Sequence, residues 1–157
     1  MSSTTARPSA GTRVPPRDAI DPRGPQLTAA LTAVVLAAVL LLPASWSVAL
    51  LAVQAGLFGL GAARGVQHTP HAWLFRTFLR PRLGPPSEWE APEPPRFAQA
   101  VGLAFSLVGL VALLAGATLV GQVAVGFALA AALLNAVFAF CLGCEMYLLI
   151  RRFTATA

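Results

Sequence analysis

Four long apolar segments occupy most of this chain, and they constrain its fold more than any other feature of the sequence. Each is close to or above the ~20 residues that a helix needs to cross a ~30 Å hydrocarbon core. A backbone in lipid must satisfy its own hydrogen bonds, and no alternation with a period of two residues supports a β-barrel. The sequence therefore predicts an all-α, integral membrane four-helix bundle, with helices at about residues 26–43, 46–63, 97–117 and 122–150.

The composition agrees with a protein that lies in a bilayer. The chain has 157 residues, of which 57% are hydrophobic and 11% charged, whereas about a quarter of the residues in a soluble domain are charged. The mean hydropathy is +0.71. Outside the helices, we expect a disordered cytoplasmic tail at residues 1–25, a cytoplasmic loop at 64–96 and a short tail at 153–157.

The basic residues predict the orientation of these helices. All 11 are arginines, and they precede the first helix, lie in the second connection or follow the fourth helix. The other two connections carry no charge, so the positive-inside rule places both termini in the cytoplasm of a multi-pass protein of the plasma membrane. Because topology explains the charge, nucleic acid is not an expected partner; the lipid bilayer is.

The two halves of the chain resemble each other, which raises the possibility of a two-plus-two parallel repeat. Asp21-Pro22-Arg23 and Glu93-Pro94-Pro95-Arg96 both introduce an odd-numbered helix, and Gly59-Leu60-Gly61-Ala62 aligns with Cys141-Leu142-Gly143-Cys144. Such a repeat would pack as a bundle with a twofold axis along the membrane normal. Chance similarity is the alternative, because alanine, glycine and leucine are so frequent here.

A short amphipathic helix is predicted in the central loop. Thr69 can cap it, Pro70 suits its first position, and Pro81 ends it. Its candidate membrane-interface residues are Trp73, Phe78, Arg76 and Arg80, with the arginines able to meet anionic head groups.

The last predicted helix contains the main candidates for reactive or metal-binding residues. Cys141, Cys144 and Glu145 share one helical face, about 10 Å from the following arginines. The cysteines can undergo dithiol–disulfide exchange, or they can simply pack as small apolar residues. A third interpretation is a zinc site, in which His68 and His71 would complete the ligands.

The predicted position of the cysteines also suggests how they would react. Near the C-terminal end of a helix, beside Glu145, a thiolate is disfavoured. The pair is therefore expected to be attacked by a partner's thiolate or persulfide, with Glu145 handling the proton. Gln54, Asn135 and Tyr147 are further candidates along a substrate path, although interhelical hydrogen bonding is the simpler interpretation of the two amides. No cofactor-binding motif is found in the sequence, so no cofactor is predicted.

Three blocks of sequence resemble a known family. They are Asp-Pro-Arg-Gly at residues 21–24, Pro-Pro-Arg-Phe-Ala-Gln at 94–99, and Leu-Asn-Ala followed by Phe-Cys-Leu-Gly-Cys-Glu-Met-Tyr between 134 and 147. Over about residues 20–152 the chain resembles the uncharacterised membrane family known as domain of unknown function 4395, common in actinobacteria. The resemblance implies an association with thioredoxin-like proteins or thiosulfate sulfurtransferases, near which members are often encoded. It implies no catalytic residues.

The sequence thus supports three functional hypotheses. The first is a membrane redox or sulfur-relay component that uses Cys141 and Cys144 with a cytoplasmic thioredoxin-like or sulfurtransferase partner. The second is a small transporter or channel for a sulfur species, and the third is a structural subunit whose cysteines only pack. Whether the protein is an enzyme stays open. A homo-oligomer is expected, because four short helices hardly enclose a site.

Overall fold

The computed structural model describes residues 19–155 and is almost entirely helical over that range. Its α-helices are α1 (Arg23–Leu41), α2 (Ala44–Arg64), α3 (Pro70–Leu74), α4 (Glu93–Leu114), α5 (Thr118–Phe138) and α6 (Leu142–Ala155). The described residues include no strand, only a single antiparallel bridge between Ile20 and Glu90. Most of the predicted N-terminal tail lies outside the described residues, as do residues 156–157.

Four of these helices, α1, α2, α4 and α5, are long and apolar enough to cross a membrane. They form a bundle in which α2 packs along α4 and α1 along α5, and each hairpin also packs within itself. Large apolar side chains such as Val34, Val53, Val111 and Phe127 stay well exposed on its outside, as expected for surfaces that face lipid. The prediction of a helical membrane bundle is confirmed, and the packing order is compatible with a two-plus-two repeat.

The bundle has one charged end and one uncharged end. The connections at residues 42–43 and 115–117 carry no charge, whereas the other end, which we call the basic end, holds the starts of α1 and α4 and the ends of α2 and α5. Arg96 at the start of α4 reaches across this end. Its Nε donates to Ala62 O at 2.6 Å and its Nη2 donates to Ala63 O at 2.9 Å. A guanidinium thus binds the unpaired carbonyls at the end of α2.

The central loop contains the predicted interfacial helix. Thr69 Oγ1 accepts a hydrogen bond from Ala72 N–H at 3.3 Å, and Pro70 occupies the first turn of α3. The chain then continues through a π-helical turn (Phe75–Leu79) and a 3₁₀ turn (Arg80–Arg82). Phe75 is buried against the bundle, while Trp73 and Phe78 remain exposed with their rings in edge-to-face contact.

The helix bounds differ from the sequence prediction most at the last segment. The first three spans begin two to four residues earlier than expected, in α1 because Asp21 Oδ1 accepts the Arg23 N–H at 3.0 Å. The predicted fourth helix at 122–150 is not continuous. It is divided into α5 and α6 at residues 139–141, and this break decides the geometry of the candidate site.

Because Arg96 holds the end of α2, we expect Arg96→Gln to lower the stability of the bundle. Loss of two hydrogen bonds from an exposed but charged donor should cost about 1 kcal/mol. Arg82→Gln is the matched control, since Arg82 is exposed and makes no hydrogen bond with another described residue. Thermal unfolding in detergent should show a lower midpoint for Arg96→Gln alone. Equal midpoints for both variants would contradict the role of Arg96.

Candidate functional site

The candidate site begins where α5 ends. Ala139 adopts the left-handed conformation, with φ of 53°, which is uncommon for a residue other than glycine. Its N–H donates to Asn135 O at 3.0 Å, and the Phe140 N–H donates to Leu134 O at 3.3 Å. Ala136 O would have accepted from Phe140 in a continuous helix, and it accepts instead from Gln26 Nε2 of α1 at 3.1 Å. The break therefore leaves these backbone groups paired.

Cys141 is the residue immediately before the next helix, α6. Its carbonyl accepts the first helical hydrogen bond, from Glu145 N–H at 3.0 Å, and its Sγ accepts from Cys144 N–H at 3.3 Å. Cys141 thus occupies the N-cap position of α6 and uses its sulfur as the cap. Cys141 and Cys144 form a disulfide across this first turn, with their Cα atoms 5.2 Å apart.

This geometry corrects the expected electrostatics of the pair. The sequence prediction placed the cysteines near the C-terminal end of one long helix, where a thiolate is disfavoured. They lie instead at the N-terminus of α6, where unpaired N–H groups and the helix dipole favour negative charge. After reduction of the disulfide, the Cys144 N–H and the helix N-terminus would stabilise a thiolate at Cys141.

Helix α6 lies across the beginning of α4 at the basic end. A Cβ built on Gly143 would lie 2.7 Å from both Cα and Cβ of Ala98, so only glycine permits this approach. The rings of Tyr147 and Phe97 are in contact, with centroids 5.8 Å apart. Gly143, Cys144 and Tyr147 are half-buried by this packing, whereas Glu145 is exposed.

A cavity of about 270 Å³ lies beside the disulfide, between α1, α2, α4, α5 and the start of α6. Cys141 lines it and Cys144 does not. Its other walls come from apolar side chains, including Phe58, Phe105 and Phe127, and no charged side chain lines it. Its polar groups are two amides and two hydroxyls, from Gln99, Asn135, Thr28 and Thr32.

The structure brings together only some of the residues that the sequence singled out. Asn135 shares the cavity with Cys141. Gln54 does not line the cavity, but its Nε2 donates to Thr32 Oγ1 at 3.4 Å, so it contacts a residue that does. Tyr147 packs on Phe97, and Glu145 faces outward in the first turn of α6. The sequence placed Glu145 on one helical face with the cysteines, but Glu145 is exposed whereas Cys141 and Cys144 are half-buried.

The zinc interpretation is not supported. Within residues 19–155 there is no group of three or more histidine, cysteine, aspartate or glutamate side chains able to hold a metal ion. His68 Nδ1 lies 2.7 Å from Arg64 O at the end of α2. Burial in the central loop lowers the pKa of His71, because desolvation disfavours its charged form.

Two of the four candidate interface residues line a second cavity, which shares Pro25, Thr28 and Val66 with the first. It has a volume of about 350 Å³ at the basic end, and Arg76 and Arg80 line it together with His68 and Trp89. Arg76 Nη1 also donates to Gln67 O at 3.0 Å. Trp73 and Phe78 do not line this cavity and are exposed, in keeping with a position at the membrane surface.

Sequence reasoning missed Thr28 and Thr32 as cavity residues, and Gln26 as the partner of the broken helix. The one signal for the break was length, because the segment from 122 to 150 exceeds the ~20 residues of a single span. No glycine or proline marks residues 139–141.

Fold and site together define a multi-pass helical membrane protein with a disulfide at the edge of its bundle. Residues 20–152 match a family model described as "Domain of unknown function (DUF4395)". The match covers most of the chain, so the protein belongs to this family. No curated protein and no solved structure is similar enough to this chain to count as a match.

Because Gly143 has no side chain, Ala98 of α4 can lie directly against it. We therefore expect Gly143→Ala to push α6 away from α4. Overpacking of this kind costs ~1–3 kcal/mol. The displaced helix should lower the unfolding midpoint in detergent and let a water-soluble phosphine reduce the disulfide faster.

Gly126→Ala on α5 is the matched control, because a Cβ at Gly126 meets nothing within 4 Å. Both substitutions replace a helical glycine by alanine, and only the one at Gly143 places a Cβ against a neighbouring backbone. Identical midpoints and reduction rates in the two variants would mean that α6 does not depend on this contact.

Proposed function

We propose that this protein is a membrane redox or sulfur-relay component that works through the Cys141–Cys144 pair. The single observation that carries the proposal is the disulfide at the N-terminus of α6, with Cys141 at the wall of a cavity inside the bundle. Cysteines that only pack would not need the N-cap position of Cys141. Nor would they need one cysteine at the wall of the cavity and the other outside it. The proposed partner is a thioredoxin-like protein or a sulfurtransferase.

In the redox form of this proposal, the partner's thiolate attacks the Cys144 sulfur and breaks the disulfide. Cys141 leaves as a thiolate that the Cys144 N–H and the helix N-terminus stabilise, and a stabilised thiolate leaves faster. The partner's second thiolate then attacks its own sulfur in the mixed disulfide and releases Cys144. Two electrons have moved from the partner, now a disulfide, to the Cys141–Cys144 pair, now a dithiol.

In the sulfur-relay form, the reduced pair receives sulfane sulfur from a partner persulfide. The Cys141 thiolate attacks the outer sulfur of the persulfide, which releases the partner thiol and leaves a persulfide on Cys141. Cys144 then attacks the inner sulfur, which re-forms the disulfide and releases hydrosulfide. The two forms share the same pair and differ in whether the partner carries a dithiol or a persulfide.

The proposed setting is the plasma membrane with both termini in the cytoplasm. Support comes from the basic end, where Arg23, Arg64, Arg96 and the loop arginines gather while the opposite connections have no charge. Because α6 lies at the basic end, a partner of the disulfide would dock from the cytoplasm. A homo-oligomer is also part of the proposal.

The proposed chemistry predicts which sulfur a partner attacks. We expect a thioredoxin variant that retains only its attacking cysteine to form a mixed disulfide with Cys144, leaving Cys141 free. After maleimide labelling of the free thiol in nanodiscs, tandem mass spectrometry should find thioredoxin on Cys144 and maleimide on Cys141.

The Cys141→Ser/Cys144→Ser variant is the control and should form no mixed disulfide. If reduced thioredoxin and a persulfide donor both leave the pair unchanged, the proposed function fails. If the mixed disulfide forms on Cys141 instead, the leaving-group argument is wrong.

The proposed orientation predicts opposite labelling of the two ends. In the variant without native cysteines, Ala117→Cys should react with a membrane-impermeant maleimide in intact cells. Ser87→Cys should react only after permeabilisation. Both positions are exposed outside the helices, one at each end of the bundle. The reverse pattern would place the basic end, and the disulfide with it, outside the cytoplasm.

A further inference from the structure

The cavity beside Cys141 shares a wall with a groove on the outside of the bundle. Phe105 of α4 and Phe127 of α5 line it, with ring centroids 6.2 Å apart. The same two rings also line a groove of about 370 Å³ on the outer surface between α4 and α5. The remaining residues of the groove are all apolar: Ala104, Val108, Val120, Val123 and Ala124. A site for a ring-sized group thus adjoins an apolar channel along the lipid-facing surface.

The chemistry of the cavity indicates what kind of head group it would take. Aromatic walls suit a flat ring. Gln99 and Asn135 make no side-chain hydrogen bond with another described residue, so their amide N–H groups are available to carbonyl oxygens. No charged side chain lines the cavity, which argues against the charged head of a phospholipid. The expected ligand therefore has a neutral ring with carbonyl groups and a long apolar tail.

The position of Cys141 indicates that the ligand of this cavity should also react with the cysteine pair. Cys141 borders the ring site, whereas Cys144 lies outside the lining. A pair that receives two electrons from a soluble thiol must pass them on before it can react again, and the acceptor has to lie on the Cys141 side.

We propose that the cavity and groove bind an isoprenoid quinone, which oxidises the Cys141–Cys144 dithiol. The two S–H bonds break and the S–S bond re-forms. Two electrons and two protons pass to the quinone, whose two carbonyl groups become the hydroxyl groups of a quinol. This inference builds on the redox form of the proposed function and names its electron acceptor. The head lies in the cavity, and the tail runs past the contacting rings of Phe105 and Phe127 into the groove.

The test uses the full-length protein in nanodiscs under anaerobic conditions. The protein is reduced with dithiothreitol, which is then removed, so the assay does not depend on the natural partner. Decylubiquinone and the tail-free duroquinone serve as probes, because their fully substituted rings resist addition of thiols. We expect one quinol formed for each disulfide regained, with maleimide labelling of both cysteines lost. The half-saturating concentration of decylubiquinone should be about tenfold below that of duroquinone, since the groove binds the tail.

Two pairs of variants separate the head site from the tail groove. Ala132→Phe fills the cavity and should abolish oxidation by both quinones, whereas Ala130→Phe, exposed on the same helix and outside the lining, should change neither. Val123→Trp obstructs the groove and should raise the half-saturating concentration of decylubiquinone about tenfold without affecting duroquinone. Val34→Trp, on the exposed face of α1, is its control. Unfolding midpoints and dithiothreitol reduction of the disulfide show that each variant is folded.

The outcomes distinguish the two proposals. If thioredoxin reduces the disulfide but quinones oxidise the dithiol without saturation, or equally in all four variants, the quinone inference is wrong and the relay stands. Saturable oxidation that Ala132→Phe abolishes supports the quinone site, even if no tested thiol protein reduces the pair. A dithiol that neither probe oxidises overturns the quinone inference, and the cavity then belongs to lipid chains.

Discussion

The structure depends on the rule that a backbone in lipid leaves no polar group unpaired. The four spans obey it through continuous helices, so an interruption is possible only where other groups take over the hydrogen bonds. At the end of α5 this is done by Gln26, which binds Ala136 O, and by the turn at Ala139, whose N–H stays bonded to Asn135 O. The break in turn creates the helix N-terminus at which Cys141 lies. The reactivity proposed for the cysteines thus follows from a hydrogen-bonding constraint several residues away.

Small residues determine where the bundle is tight and where it is open. Without a hydrophobic driving force between helices in lipid, close packing depends on small side chains. Phe58 packs on Gly102 and Leu113 on Gly121, so these contacts are filled. Around Cys141, alanines on α4 and α5 line a cavity instead. Small residues therefore permit a close contact at one place and leave a cavity at another.

The four spans and the candidate cysteines could be predicted from the sequence, because hydropathy and residue type are properties of short segments. The environment of the cysteines could not be predicted, because Ala139 carries no signal for a left-handed turn. The group that binds the freed carbonyl of Ala136 also comes from a distant helix, α1. The exposed position of Glu145 was missed for the same reason, since faces were assigned on one continuous helix. Gln54 could be recognised as a buried amide from its place in an apolar segment. Its contact with Thr32, and the unpaired Oε1 that remains inside the bundle, depend on packing between helices.

The positions of the two cysteines allow the proposed relay to react with both a soluble thiol and a membrane quinone. Soluble thiols and a membrane quinone do not meet, because one is confined to water and the other to hydrocarbon. A pair on a continuous buried helix would be closed to the first, and a pair in a loop would be closed to the second. At the start of α6, Cys141 borders the cavity while Cys144 lies outside it, beside the exposed Glu145. A disulfide between them then joins the two environments by a single bond, and each turnover needs only that bond to break and re-form.

The cap hydrogen bond from Cys144 N–H to Cys141 Sγ keeps the sulfur of Cys141 in place. The proposed chemistry therefore depends on α6 staying on Ala98, and the close contact of Gly143 serves this chemistry as well as the fold.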